Sequence, residues 1–273
     1  MSFAWLFLVA FVGGALNSVA GGGSFLTLPA LIYVGVPAVS ANATSTFAML
    51  PASLSSAVAY RREIGRAWAW TLRLGAISLA GGLLGGLLLV RTSDQSFLRL
   101  LPWLMALAAA TFTFGGQLTV WARARREAAK GSDGGSDGRA RTAADESSRT
   151  GDVGSVRVPL WTLPLQLLIA TYGGYFGGGM GIMMLAALSV AGMTDIHEMN
   201  GLKAVLAIAI NGVALVTFIA SGAIAWAPGL VMVVGGICGG YLGAATARKV
   251  AGTQIKIVVT VIAWTMTAYF FIR

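Results

Sequence analysis

Apolar residues run along this chain in long blocks, near residues 3–35, 40–60, 67–90, 97–121, 160–191, 198–221, 226–247 and 254–272. A membrane-spanning helix needs about 20 apolar residues, with a range of roughly 17 to 25. The first and fifth blocks are too long for one crossing. As a single helix of about 33 residues, each would reach about 50 Å, against a hydrocarbon core of about 30 Å. Each therefore predicts a segment that bends back, and the glycine runs Gly21–Gly23 and Gly177–Gly179 mark where.

Between residues 122 and 157 the pattern changes to "ARARREAAKGSDGGSDGRARTAADESSRTGDVGSVR", with almost no large apolar residue. Such a stretch cannot bury enough surface to fold and predicts a flexible linker. It divides the chain into a first membrane repeat (1–121), the linker (122–157) and a second membrane repeat (158–273). Gly21, Gly22 and Gly23 match Gly177, Gly178 and Gly179. After a two-residue insertion, Asn42 matches Asn200, Trp68 matches Trp226, Gly81 and Gly82 match Gly239 and Gly240, and Gly85 matches Gly243.

Basic residues orient the two halves, because cytoplasmic loops are enriched in Lys and Arg. The first-half loop "RREIGR" carries Arg61, Arg62 and Arg66; its second-half counterpart "SGAIAW" carries no charge. Equivalent loops thus fall on opposite sides. The linker, with its eight basic residues, and the "RKVAGTQIK" loop read as cytoplasmic, which puts both termini outside. The fold class expected is an all-α polytopic membrane protein of two inverted-topology repeats, each a glycine-broken helical hairpin plus three spanning helices, the build of many secondary transporters.

Composition agrees and removes other classes. Hydrophobic residues are 56% and charged residues 11% of the 273, whereas a soluble domain carries about 25% charge. The opening "MSFAWLFLVAFVGGALNSVA" lacks a basic leader and reads as a retained span. A net charge of +9 would fit nucleic acid only if the basic residues shared a face interleaved with aromatics, and most lie between apolar blocks, so no nucleic-acid partner is expected. One cysteine, Cys238, and one histidine, His197, leave no metal cluster and no cofactor to expect, and make an intramembrane enzyme the weaker alternative.

Backbone freed from a helix at membrane depth survives only where protein or a polar cavity covers it. A helix that starts after such a break offers free N–H groups and a partial positive charge, enough to hold an anion. The substrate-binding candidates are therefore Asn17, Gly21, Gly22, Gly23 and Ser24 at the first break and Gly177, Gly178 and Gly179 at the second. Asn42, Thr44, Ser45, Asn200 and Lys203 are the polar candidates on the helices that follow. Lys203 either pairs with the anion or extends its long stem to the headgroups. Asp195, His197 and Glu198 are gate or proton-coupling candidates, or simply a helix start with an acidic N-terminus. The glycine series "GGLLGG" and "GGICGGYLG" read as close helix packing.

The run "GGGSFLTLPALIYVGVPAVSANATSTFAML" followed by "AYRRE", with a second glycine-rich break and "MNGLKAVLAIAINGV" beyond the linker, resembles the sulfite exporter TauE/SafE family. The resemblance covers both halves and leaves out only the linker and short ends. It implies a secondary transporter of the bacterial inner membrane, moving sulfite, organosulfonates such as sulfoacetate, or related sulfur oxyanions outward. The long charged linker and the run "DIHEMNGLK" depart from that pattern. A carrier for another small anion or solute on the same fold is the alternative. The partners expected are a small anionic substrate and the lipid bilayer, with homo-oligomerisation left open.

Overall fold

The structure is a computed structural model and describes residues 2–20, 22–59, 68–132, 159–193, 195–247 and 252–272. Its elements are helices: α1 (Ser2–Ala20), α2 (Ser24–Tyr33), α3 (Ala38–Ala59), α4 (Trp68–Arg91), α5 (Asp94–Ser132), α6 (Thr162–Tyr175), α7 (Met180–Ala191), α8 (Ile196–Ala220), α9 (Trp226–Ala247) and α10 (Gly252–Ile272). No strand occurs among the described residues. Parts of α4, α5, α8 and α9 are long and apolar enough to cross a membrane, and shorter apolar helices occupy Phe3–Asn17, Ser24–Tyr33, Met180–Ala191 and Ile257–Ile272. Apolar side chains on the outside, such as Leu84, Val216 and Tyr241, are what a lipid-facing surface requires.

Both overlong blocks break at their glycines. α1 stops at Ala20 and α2 starts at Ser24; α6 stops at Tyr175 and α7 starts at Met180. The chain then folds back, so that a Cβ on Gly13 of α1 would stand 3.1 Å from the Thr27 methyl of α2. In the second hairpin a Cβ on Gly173 of α6 would stand 2.5 Å from the Met180 sulfur of α7. The two breaks differ locally. Gly23 is right-handed at φ −58°, whereas Gly177 and Gly179 take φ +81° and +77°, a region that L side chains enter at a cost of about 1–2 kcal/mol.

Helix pairing crosses between the halves. α1 packs along α9 and α6 along α4; α3 packs on α9 and α8 on α4; α5 faces α10 and α3 faces α8. The glycine series make these approaches close. A Cβ on Gly81 would stand 3.0 Å from Leu167 O, and one on Gly239 would collide with Phe11 O. A Cβ on Gly243 would stand 2.6 Å from Ala15 Cα, and one on Gly85 would collide with Thr171 O. At one end of the bundle three turns are tied together. Val39 N–H donates to Asp94 Oδ1 (2.8 Å), Ser40 Oγ to Ala223 O (2.6 Å) and Ala225 N–H to Thr44 Oγ1 (3.0 Å).

One boundary is corrected. α5 continues to Ser132, so residues 122–132, expected to open the flexible linker, are helical. The physical reason is composition: "ARARREAAK" is made of strong helix formers, and a spanning helix ahead of it has already met the cost of nucleation. Linker residues 133–157 and the loop Arg61–Arg66 lie outside the described residues.

Candidate functional site

Both breaks meet the same stretch of α5. A Cβ on Gly22 would stand 3.5 Å from Phe112 Cζ, and one on Gly179 would stand 3.0 Å from the Ala108 Cβ. Ala108 and Phe112 are one turn apart. At 1.5 Å per residue they lie about 21 and 27 Å from Asp94, on an apolar stretch of 24 residues, Asp94–Gln117. The two interruptions thus touch successive turns of α5, inside this apolar stretch. Gly21 lies outside the described residues.

Some carbonyls at these breaks are covered by side chains. Gly23 O accepts Leu26 N–H (3.1 Å), Thr27 N–H (3.2 Å) and the Thr27 hydroxyl (3.2 Å). Tyr175 O accepts the Asn42 amide at 2.8 Å. Gly178 O accepts the Tyr172 hydroxyl at 2.7 Å, with Leu104 O at 3.2 Å from the same oxygen. By contrast, the N–H groups of Gly22, Gly23 and Ser24 find no acceptor among the described residues, and neither do those of Gly178, Gly179, Met180 and Gly181. At the second break the carbonyls of Gly173, Gly174, Phe176 and Gly177 also find no donor among the described residues, so groups of both kinds stay open there.

α3 runs between them with three side chains on one face. Asn42 reaches the second break as described. Ser45 and Thr27 hydroxyls are 2.6 Å apart; because Thr27 gives its proton to Gly23 O, Ser45 is the donor of that pair. Met49 sits at the first break, its sulfur 2.8 Å from where a Cβ on Gly23 would be. Asn42 and Ser45 are buried, at 2% and 1% exposure, so both serve first as supports of the interrupted backbone. Thr44 looks the other way. It accepts Ala225 N–H and packs on Gly229 of α9, which takes it off the face shared by the breaks. The 100° step between helix neighbours separates it from Ser45.

On α8, Asn200 donates to Ile196 O (2.8 Å) and accepts from Lys203 Nζ (3.0 Å). The Lys203 stem lies over the start of α7, its Cδ 3.3 Å from where a Cβ on Gly181 would be. Lys203 is therefore beside uncovered amides of the second break. Asn17 is half-buried next to Gly23 and has no hydrogen-bond partner among the described residues. Asp195 caps α8: its carboxylate accepts Glu198 N–H at 3.4 Å and its carbonyl accepts Met199 N–H at 3.0 Å. This is an N-cap, the plain structural use of the Asp195 carboxylate. The His197 side chain lies outside the described residues.

The sequence does not single out Tyr172, although its hydroxyl satisfies the Gly178 carbonyl at the second break. Its place five residues before a glycine run was the available signal. A groove of about 510 Å³ between α5, α6 and α7 is walled by Leu107, Phe114, Ile169, Met183 and Val190; it offers an anion nothing. Among the described residues no group of His, Cys, Asp and Glu is placed to hold a metal.

Residues 6–270 match the family described as sulfite exporter TauE/SafE. A probable membrane transporter protein of Haemophilus influenzae is 26% identical over 96% of this chain and 92% of its own length. One from Sinorhizobium sp is 28% identical over 93% of this chain and 86% of its own. The probable membrane transporter protein YfcA of Escherichia coli is 24% identical over 96% and 87%. No solved structure matches the chain. Apolar helices broken at glycines and a family match over nearly the whole length agree: the chain belongs to the sulfite exporter TauE/SafE family, an integral membrane transporter rather than an enzyme.

Proposed function

We propose that this transporter carries sulfite, an organosulfonate or a related sulfur oxyanion outward across a bacterial inner membrane, by alternating movement of two inverted halves. The observation that carries the reading is the run of open amides at both breaks, with the Lys203 stem lying over those of the second. An uncovered N–H at membrane depth costs several kcal/mol, and an anion is the ligand that removes that cost. Gly22, Gly23, Ser24, Gly178 and Gly179 supply backbone donors, Gly21 and Gly177 shape the turns, and Lys203 with Asn200 supplies charge and a polar side chain beside them. Asn17 is positioned to add an amide at the first break.

Paired use of equivalent glycines supports the inverted repeat. Gly81 meets Leu167 as Gly239 meets Phe11, and Gly85 meets Thr171 as Gly243 meets Ala15. The three turns tied at one end include Asp94 and Ala223, the weakly charged outer loops of the topology. Export of a dianion from a cell negative inside is downhill by roughly 4.6 kcal/mol at 100 mV, at about 2.3 kcal/mol per charge. The test is flux in proteoliposomes with labelled sulfite, sulfoacetate and chloride. Protein-dependent flux selective for the sulfur anions is expected; equal passage of chloride, or none of the three, refutes the cargo.

A further inference from the structure

Asn42 and Asn200 hold matched places in the two halves, yet they are used differently. Asn42 crosses to the other half and donates to Tyr175 O (2.8 Å), the last carbonyl of α6. Under the offset that pairs Gly177 with Gly21, Tyr175 pairs with Val19, in the last turn of α1. Asn200 makes no such crossing among the described residues. Its amide turns back to Ile196 O of its own helix, and its oxygen accepts from Lys203.

Around Asn42, other bonds join the halves at the same end. Ser40 reaches Ala223 O, Thr44 receives Ala225 N–H, and the Tyr175 hydroxyl lies 3.3 Å from Thr92 Oγ1. The Phe97 and Tyr175 rings close over this seam with centroids 5.8 Å apart.

We infer that Asn42 and Asn200 are reciprocal latches. Asn42 holds the second hairpin against α3 while the outer end is closed, and Asn200 takes the matching bond at Val19 O when the inner end closes instead. The inference rests on the inverted-repeat reading, in which the two end states arise when the halves exchange roles. The structure is then the outer-closed state. Each latch is one amide donating to one carbonyl at a helix C-terminus, a group without a helical partner of its own. Asn200 meanwhile parks on a carbonyl of its own helix, so switching exchanges hydrogen bonds without stranding the amide in lipid. Both are positioning residues: they bias the equilibrium between states and need not touch cargo.

The test measures closure of the outer end directly. In a Cys238→Ser background, Ser40→Cys and Ala223→Cys place thiols across the seam, and disulfide formation with oxygen and copper phenanthroline at limiting oxidant reports how often it is shut. Asn42→Ala is expected to slow cross-linking about fivefold, the population shift that one net hydrogen bond supports, whereas Asn200→Ala does not slow it. Equal cross-linking rates in the two variants would overturn the latches. Should Asn42→Ala fail to accumulate in the membrane, Asn42→Asp, which keeps the volume and loses the donor, makes the same comparison. The readout needs no cargo. Unequal cross-linking without sulfur-anion flux refutes the cargo alone, and flux with equal cross-linking refutes the latches alone.

Discussion

The second break depends on two left-handed glycines, and replacing them separates backbone conformation from packing. Gly177 has φ +81° with only Gly173 O within reach of an added Cβ, at 3.4 Å. Gly177→Ala therefore costs the left-handed strain alone, about 1–2 kcal/mol. Gly179 has φ +77°, and its Cβ would also press on Ala108 at 3.0 Å. Gly179→Ala adds an overpacking cost of about 1–3 kcal/mol to the same strain. Asn enters the left-handed region far more readily than Ala, so Gly177→Asn should recover most of the loss. Gly212→Ala is the control: nothing stands within 4 Å of its Cβ, and it gains about 0.8–1.0 kcal/mol of helix propensity. Thermal unfolding of the detergent-solubilised protein orders the variants, each kcal/mol moving the midpoint by roughly 2–4 °C. Flux per incorporated molecule should fall in the same order, because a re-formed helix would cover the amides. Wild-type midpoint and flux for Gly177→Ala would refute the requirement for a left-handed break.

Other substitutions probe the remaining contacts. Gly239→Ala drives a methyl into Phe11 O of α1 and should lower stability by about 1–3 kcal/mol or more; a midpoint equal to that of Gly212→Ala would show that α1 and α9 do not approach so closely. Lys203→Met should cut anion flux far more than the amount of protein in the membrane, and unchanged flux kinetics would return Lys203 to a headgroup anchor. Asp195→Ala removes the cap of α8 and should cost about 0.5–2 kcal/mol while leaving flux per folded molecule intact; loss of flux at wild-type stability would restore the acids as a gate.

Much of this architecture is written locally in the chain. The block 226–247 became Trp226–Ala247 and 254–272 became Gly252–Ile272, because length and apolarity decide what crosses lipid. Both breaks fell at their glycines for the same local reason. The Asp195–Glu198 cap was also legible, since its partners are three residues apart. The side-chain roles were less so. Asn42 and Tyr175 are 133 positions apart in sequence, and nothing in either neighbourhood names the other. Thr44 and Ser45 look alike in a polar run, but only the helix's rotation against its neighbours decides which faces the breaks. Residues 122–132 resemble a linker by composition, yet helix propensity and an adjoining span override that.

On the proposed inverted-repeat reading, the halves share a backbone plan but differ electrically. Ser45 corresponds to Lys203 under the offset that matches Asn42 with Asn200: one half places a hydroxyl beside its break, the other an amine. On the proposed reading, a charged Lys203 travelling with a bound dianion makes the loaded site −1 and the empty site +1. A cell that is negative inside then favours outward movement of the loaded form and inward return of the empty form, by about 2.3 kcal/mol each at 100 mV. Without the lysine the same roughly 4.6 kcal/mol falls on the loaded step alone, and the return of the empty carrier proceeds unaided. A single cation in one half of an otherwise repeated site therefore divides the driving force between both steps of the cycle, which a symmetric pair of hydroxyls cannot do and a symmetric pair of lysines would undo by making the loaded form neutral.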